Sequence, residues 1–161
     1  TLSPFNAWLF IQGLESLSVR VRQHVKNAEA VAAYLAEHDL VEWVNYPSLP
    51  ENNQQKLVEK YLAKGAGSIF SFGIKGGLEA AKTFINNVEL LSHVANVGDS
   101  KSLVIHPAST SHSRLTEEQQ LASGVSPGLI RLSIGLEDIE DIKNDIAQAL
   151  KKAALTVATT K

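Results

Sequence analysis

The segment Leu129-Ile130-Arg131-Leu132-Ser133-Ile134, bracketed by Gly128 and Gly135, restricts the fold more than any other stretch of the chain. Side chains along a strand alternate between faces, so Ile130, Leu132 and Ile134 share one face and Leu129, Arg131 and Ser133 the other. One face suits a core. The opposite face carries a charge, and a sheet built on such a strand is expected to be covered by helices on a single side.

The helices to cover it are present. From Leu17 the apolar positions Val21, Val25, Ala28, Ala32 and Leu35 step by four and three, which predicts one buried stripe along a helix of about five turns. After the strand, Glu137-Asp138 reads as the cap of a last helix whose Ile139, Ile142, Ile146, Ala149 and Leu150 form an apolar face, with Lys151 and Lys152 at its negative end. The chain after Ala154 is expected to fray. Further strands are predicted over Val41 to Tyr46, stopped by Pro47 and Pro50, and over Ser68 to Ile74, where Phe70, Phe72 and Ile74 alternate with small residues. Two short strands are expected at Val94 to Val97 and Leu103 to His106, and helices at Asn52 to Ala63 and Leu78 to Val88. At the start, Ser3-Pro4 opens a short helix with Phe5, Trp8, Leu9 and Gln12 on one side, and Gly13 and Ser16 offer a break and a new cap. Residues 108–127 are polar and long for a connection, as in a functional loop or one held by a partner surface. These elements predict an α+β fold, an antiparallel or mixed sheet with helices on one face.

Size and charge narrow the functions. With 161 residues the chain suits one core of ordinary size, and 44% hydrophobic against 20% charged residues suits a globular fold. Fifteen basic residues against 17 acidic ones give a net charge of −2, so no global field attracts nucleic acid or an anionic membrane. An anionic ligand must be met by a local group. No run approaches the roughly 18 apolar residues of a membrane helix. The absence of cysteine excludes a disulfide framework, a thiol nucleophile and a Cys-based zinc site. Thr1-Leu2-Ser3-Pro4 lacks the features of a signal peptide, which fits a cytoplasmic location, and a chain that opens on Thr1 with no methionine is expected to be a fragment.

Several patterns carry no chemistry. Gly124-Val125-Ser126-Pro127-Gly128 matches the G-x-S-x-G of a nucleophile elbow, but a polar loop precedes it and a strand follows, and Pro127 has no N–H to give an oxyanion hole. It reads as a turn. The glycines between 65 and 77 fit no phosphate-loop register, and the histidines at 24, 38, 93, 106 and 112 show no metal spacing, so packing and loop hydrogen bonding are expected of them. Arg131 has two readings. It is either a solvated strand arginine or a planar fork placed to grip a carboxylate in two bonds.

Several runs, in order along the chain, resemble one family. They are Ser3-Pro4-Phe5-Asn6-Ala7-Trp8, Gln12-Gly13-Leu14-Glu15-Ser16-Leu17, Asn45-Tyr46-Pro47-Ser48-Leu49, Asn96 through Leu103, His106-Pro107-Ala108-Ser109-Thr110-Ser111-His112 and Gly128 through Glu137. The likeness is to the C-terminal part of the Cys/Met-metabolism family of pyridoxal-phosphate (PLP) enzymes, over residues 1–153. Within that family, the run from Asn96 to His112 is most similar to the O-acetylhomoserine sulfhydrylases. The γ-lyases and cystathionine γ-synthases more often carry serine-leucine-glycine where Asn96-Val97-Gly98 stands.

The resemblance implies the small C-terminal domain of a fold-type I PLP-dependent transferase. Residues 1–16 would be an interdomain helix, residues 17–153 the substrate-clamping domain and residues 154–161 a frayed tail. The domain would pack on an upstream PLP-binding domain of the same chain, in a cytoplasmic homo-oligomer, usually a homotetramer. By position, Arg131 is similar to the arginine that binds the α-carboxylate of the amino-acid substrate. Asn96 and Val97 match the segment lining the pocket near it, although Asn96 replaces the serine common in the lyases. Ser111 matches a threonine whose hydroxyl supports the arginine. The family's Schiff-base lysine, stacking aromatic ring and pyridinium-pairing aspartate all lie upstream of a segment like Ser3-Pro4-Phe5. Lys161, the only lysine after a serine/threonine run, sits in the expected tail. No catalytic, cofactor-binding or metal-binding residue is therefore expected here, and the chain alone should be inactive. The implied reaction is γ-replacement in methionine biosynthesis, O-acetylhomoserine and sulfide giving homocysteine and acetate, with Arg131 holding the substrate so that its Cα–H stands perpendicular to the cofactor ring. A γ-lyase or γ-synthase of the same family is the alternative. From another class, so is a non-catalytic assembly domain with a sticky surface at Phe5, Trp8 and Leu9.

Overall fold

In a computed structural model, which describes residues 1–159 and side chains through residue 156, eleven helices and strands follow in the order α1 (Pro4–Glu15), α2 (Leu17–Ala36), β1 (Val41–Asn45), α3 (Gln55–Tyr61), β2 (Ile69–Ile74), α4 (Gly77–Asn87), β3 (Ser92–His93), β4 (Leu103–Ile105), α5 (Glu117–Ala122), β5 (Leu129–Ser133) and α6 (Ile139–Thr159). The strands form one mixed sheet in the order β1-β2-β5-β4-β3. All neighbours are antiparallel except the β3–β4 pair. This is the α+β architecture predicted from the alternating strands.

The alternation of β2 and β5 decides where the core lies. Phe70, Phe72 and Ile74 of β2 are buried together with Ile130, Leu132 and Ile134 of β5 and its continuation. Against them pack Ala28, Val31, Ala32 and Leu35 of α2, Ala80, Ala81 and Phe84 of α4, and Ile142, Ile146, Ala149 and Leu150 of α6. The alanines let the helix backbones come close, and the Phe84 ring meets Phe72 edge-on with centroids 5.8 Å apart. Gly73 serves a close approach of another kind. A Cβ there would stand 2.2 Å from the Trp43 indole nitrogen, so Trp43 needs a glycine opposite it in the ladder.

Four details differ from the sequence expectation. Helix α1 runs through Gly13 to Glu15 and buries no residue, and the chain turns at Ser16, where Arg20 Nη1 donates to Gly13 O at 3.0 Å and also reaches the Ser16 hydroxyl. The stripe of α2 is rotated, because Val21 is exposed while His24 and Asn27 are buried. Their partners are distant in sequence: His24 Nδ1 donates to Ile134 O at 2.7 Å, and Asn27 Nδ2 to Gly135 O and Glu137 O, each at 3.0 Å. The short strand expected at Val94 to Val97 lies earlier, at Ser92–His93, because the backbone beyond Val94 is bonded to side chains of β5. Finally, α6 continues beyond Ala154, where fraying was expected, to Thr159. Its start is as expected, with Asp138 Oδ1 accepting from Glu140 N at 2.9 Å. Lys161 lies outside the described residues.

The long polar connection of residues 108–127 is ordered by its own side chains. Thr116 and Gln119 close a reciprocal capping box at the start of α5. The Gln120 amide donates to Ala108 O at 3.1 Å and His112 O at 2.9 Å, tying the helix to the turn before it. The Gly124-to-Gly128 stretch is the predicted turn. Among the described residues no helix is long and apolar enough to cross a membrane.

Candidate functional site

The sheet face away from the helices carries the groups the core excludes. Asn45 of β1, Ser71 of β2 and Arg131 of β5 are in register across neighbouring strands, so they form one row on that face. With Pro47, Ile69 and Leu129 they line an open cavity of about 410 Å³. Among the described residues no lysine or carboxylate lines it.

The loop between β3 and β4 lies along β5 on this face, held at successive points. Arg131 Nη2 donates to Asn96 O at 3.2 Å, and two residues on, the Ser133 hydroxyl accepts from Gly98 N at 3.1 Å. Leu136 N then donates to Ser100 O at 2.8 Å. The Glu137 carboxylate accepts from both Ser102 N, at 2.7 Å, and the Ser102 hydroxyl, at 2.8 Å. The Ser102 oxygen in turn accepts from Gly135 N at 2.9 Å. Arg131 and Ser133 of β5 both grip the loop, which is why Asn96 and Arg131 meet although 35 residues separate them.

The guanidinium is half-buried, and its Nε is buried with no hydrogen-bond partner among the described residues. No carboxylate pairs with Arg131 among those residues either. A buried N–H without an acceptor costs about 1–3 kcal/mol. One arm of the fork is thus engaged by the Asn96 carbonyl, and its unmet donors suit a planar anion such as a carboxylate. The buried, unpartnered Nε favours the fork reading over that of a solvated strand arginine.

The other sequence-predicted residues are placed unevenly. Asn96 touches Arg131 through its carbonyl, while its side chain accepts from Val97 N at 2.9 Å. Val97 is exposed beside it. Ser111 is not brought to the arginine, because its hydroxyl pairs with His112 Nδ1 at 2.9 Å in a turn closed by Thr110 N and His112 N donating to Pro107 O. The contact to the guanidinium here is made by Asn96 O. Sequence reasoning missed Ser133, Glu137, Ser102, Ser71 and Asn45. Alternation already put Ser133 on the arginine's face, whereas nothing local points to the Glu137–Ser102 pair.

Two other groups are structural. His106 is fully buried, donating from Nε2 to Pro127 O at 2.8 Å and accepting at Nδ1 from the Ser109 hydroxyl at 2.8 Å. Burial holds its pKa below the ordinary 6.5, so the ring stays neutral. Among the described residues no cluster of three His, Cys, Asp or Glu could hold a metal. A larger cavity of about 590 Å³ opens beside β1, lined by Glu37, Glu42, Trp43 and Tyr46 among others. Burial pushes the Tyr46 phenol up to about 12, and its hydroxyl donates to Gly67 O at 2.9 Å, so it is no acid or base near neutral pH.

Residues 1–151 match the family described as Cys/Met metabolism PLP-dependent enzyme. O-acetyl-L-homoserine sulfhydrylase of Leptospira meyeri is 51% identical over 93% of this chain and 34% of its own length. O-acetyl-L-homoserine sulfhydrylase 1 of Thermus thermophilus is 49% identical over 92% of this chain and 35% of its own. The chain thus spans about a third of the length of these curated relatives. A crystal structure assigned as an O-acetylhomoserine (thiol)-lyase of Campylobacter jejuni, holding N'-pyridoxyl-lysine-5'-monophosphate, superposes with a TM-score of 0.85 at 45% identity, over 94% of this chain and 36% of that one.

Proposed function

The chain belongs to the Cys/Met-metabolism family of PLP-dependent enzymes, and we propose that it is the C-terminal, substrate-clamping part of an O-acetylhomoserine sulfhydrylase, which converts O-acetylhomoserine and sulfide to homocysteine and acetate. The observation that carries this reading is Arg131, a guanidinium with a buried, unpartnered Nε on the open sheet face. The identity of about 50% to sulfhydrylases of two organisms supports the choice within the family.

PLP, when bound, supplies the electron sink that lets the amino acid lose its α-proton. The unmet guanidinium donors around Arg131 fit the substrate's carboxylate, and among the described residues the cavity is lined by no lysine or carboxylate. This chain's part is therefore binding and orientation. Arg131, steadied by Asn96 O, receives the α-carboxylate, and a carboxylate fixed in a plane leaves the amino acid little freedom to turn. Val97, exposed at the edge of the same loop, closes one side of the substrate's path.

The upstream PLP-binding domain covers the open sheet face in this reading. Residues 1–16 act as the interdomain helix and residues 17–153 as the clamp domain. Helix α1 supports this, because Phe5, Trp8, Leu9 and Ile11 are apolar and lie uncovered. The assembly is a homo-oligomer in the cytoplasm. The test is an assay of the full-length protein with O-acetylhomoserine and sulfide, which should release homocysteine. Cystathionine formed from cysteine in its place, or a keto acid released without any thiol, would instead identify a γ-synthase or a γ-lyase.

A further inference from the structure

We propose that Ser133 is a positioning residue for Arg131, acting through the loop that both residues hold. The inference rests on the reading of Arg131 as the carboxylate clamp. Arg131 and Ser133 stand two residues apart on one face of β5, and their loop partners Asn96 and Gly98 are also two residues apart. Two residues of extended chain cover roughly 6.6–6.8 Å, so the two ties match in span and the loop rests on the strand as an added, side-chain-bonded rung. Ser133 is 1% exposed, and its hydroxyl accepts the Gly98 N–H. Gly98 has φ +73°, a conformation that other residues adopt only with strain.

The consequence falls on the arginine. With Gly98 fixed, Asn96 O is fixed, and it holds one arm of the guanidinium at 3.2 Å. The plane of the fork is then set before substrate arrives, with its Nε still without a partner among the described residues. Without the Ser133 hydroxyl the Gly98 N–H loses its partner and the loop lifts. Ordering loop and guanidinium then becomes part of the cost of binding the carboxylate. Such a loss weakens binding in ground and transition states alike, so it raises KM and leaves kcat nearly unchanged.

The test uses the full-length holoenzyme. Ser133→Ala should raise KM for O-acetylhomoserine about tenfold with kcat within about twofold of the parent, and Ser133→Thr, which keeps the hydroxyl, should restore KM. Gly98→Ala perturbs the loop without touching β5 and should shift KM the same way, which keeps the test valid if Ser133→Ala folds poorly. As competitive inhibitors, norvaline should weaken in Ser133→Ala by the same factor, while butylamine, its counterpart without the carboxylate, should not change. Equal weakening of both inhibitors, or an unchanged KM in Ser133→Ala and Gly98→Ala, overturns the positioning role. Arg131→Lys in the same assays separates the two ideas: a raised KM there with normal Ser133 variants removes only this inference, and an unchanged KM there removes the clamp as well.

Discussion

Alternate residues of β5 meet opposite environments. Ile130 and Leu132 are fully buried against the helices, in a layer made mostly of aliphatic and aromatic side chains. Arg131 and Ser133 face the other way, where side chains rather than strand pairing hold a loop and one N–H lacks an acceptor. The packed side supplies stability in excess of what the open side costs, so β5 can keep an unmet donor poised. Stability and binding are thus separable by residue parity along five residues.

The largest effect that could break this separation is on the packed side. Phe72→Ala removes a fully buried ring that meets Phe84 and should destabilise by about 3–5 kcal/mol in denaturant unfolding. The KM of whatever folded enzyme remains should stay close to the parent value. Next is Arg131→Ala, which should lower kcat/KM of the full-length enzyme by about 2–4 kcal/mol, mostly through KM, while leaving the thermal midpoint almost unmoved. A midpoint drop comparable to that of Phe72→Ala would show that the open face carries the fold as well.

A smaller effect sharpens the comparison through pH. His106 follows β4 and is bonded to the carbonyl of Pro127, just before β5. Its folded pKa lies below 6.5, so under that pH the unfolded chain binds a proton that the folded chain refuses. The stability His106 contributes is therefore complete above pH 6.5 and is lost as pH falls from there toward the lowered folded value. Unfolding measured between pH 7 and pH 5 should show this slope, and His106→Gln should flatten it.

Much of this was legible in the residues. Period-two alternation located β2 and β5 and assigned their faces, because a buried face requires it, and it set Arg131 opposite the core before any coordinates. The last helix was equally readable, from Asp138 as cap to Leu150. What escaped depends on partners far away in sequence. The rotation of α2 follows from His24 and Asn27 reaching carbonyls more than 100 residues on, which no periodicity encodes. The Ser111 hydroxyl meets His112 rather than Arg131, since a position shared with a family does not fix which neighbour a hydroxyl takes. Val94 to Val97 reads locally as a short strand, yet the bonds of the loop that holds it go to Arg131, Ser133 and Glu137. Thr116 and Gln119 are an instance of a signal present in the residues but unused, since T-x-x-Q alone marks a helix start.

Helix α1 has twelve residues and buries none of them, with Phe5 65% and Trp8 52% exposed. A segment of that length is at the lower limit of what holds a helix in water without tertiary support. Its backbone amides should therefore trade hydrogen for deuterium quickly while this girdle of rings faces water and slowly once it is covered. Under the proposed function, the first fifteen residues would thus act as a built-in gauge of whether a larger domain covers this helix.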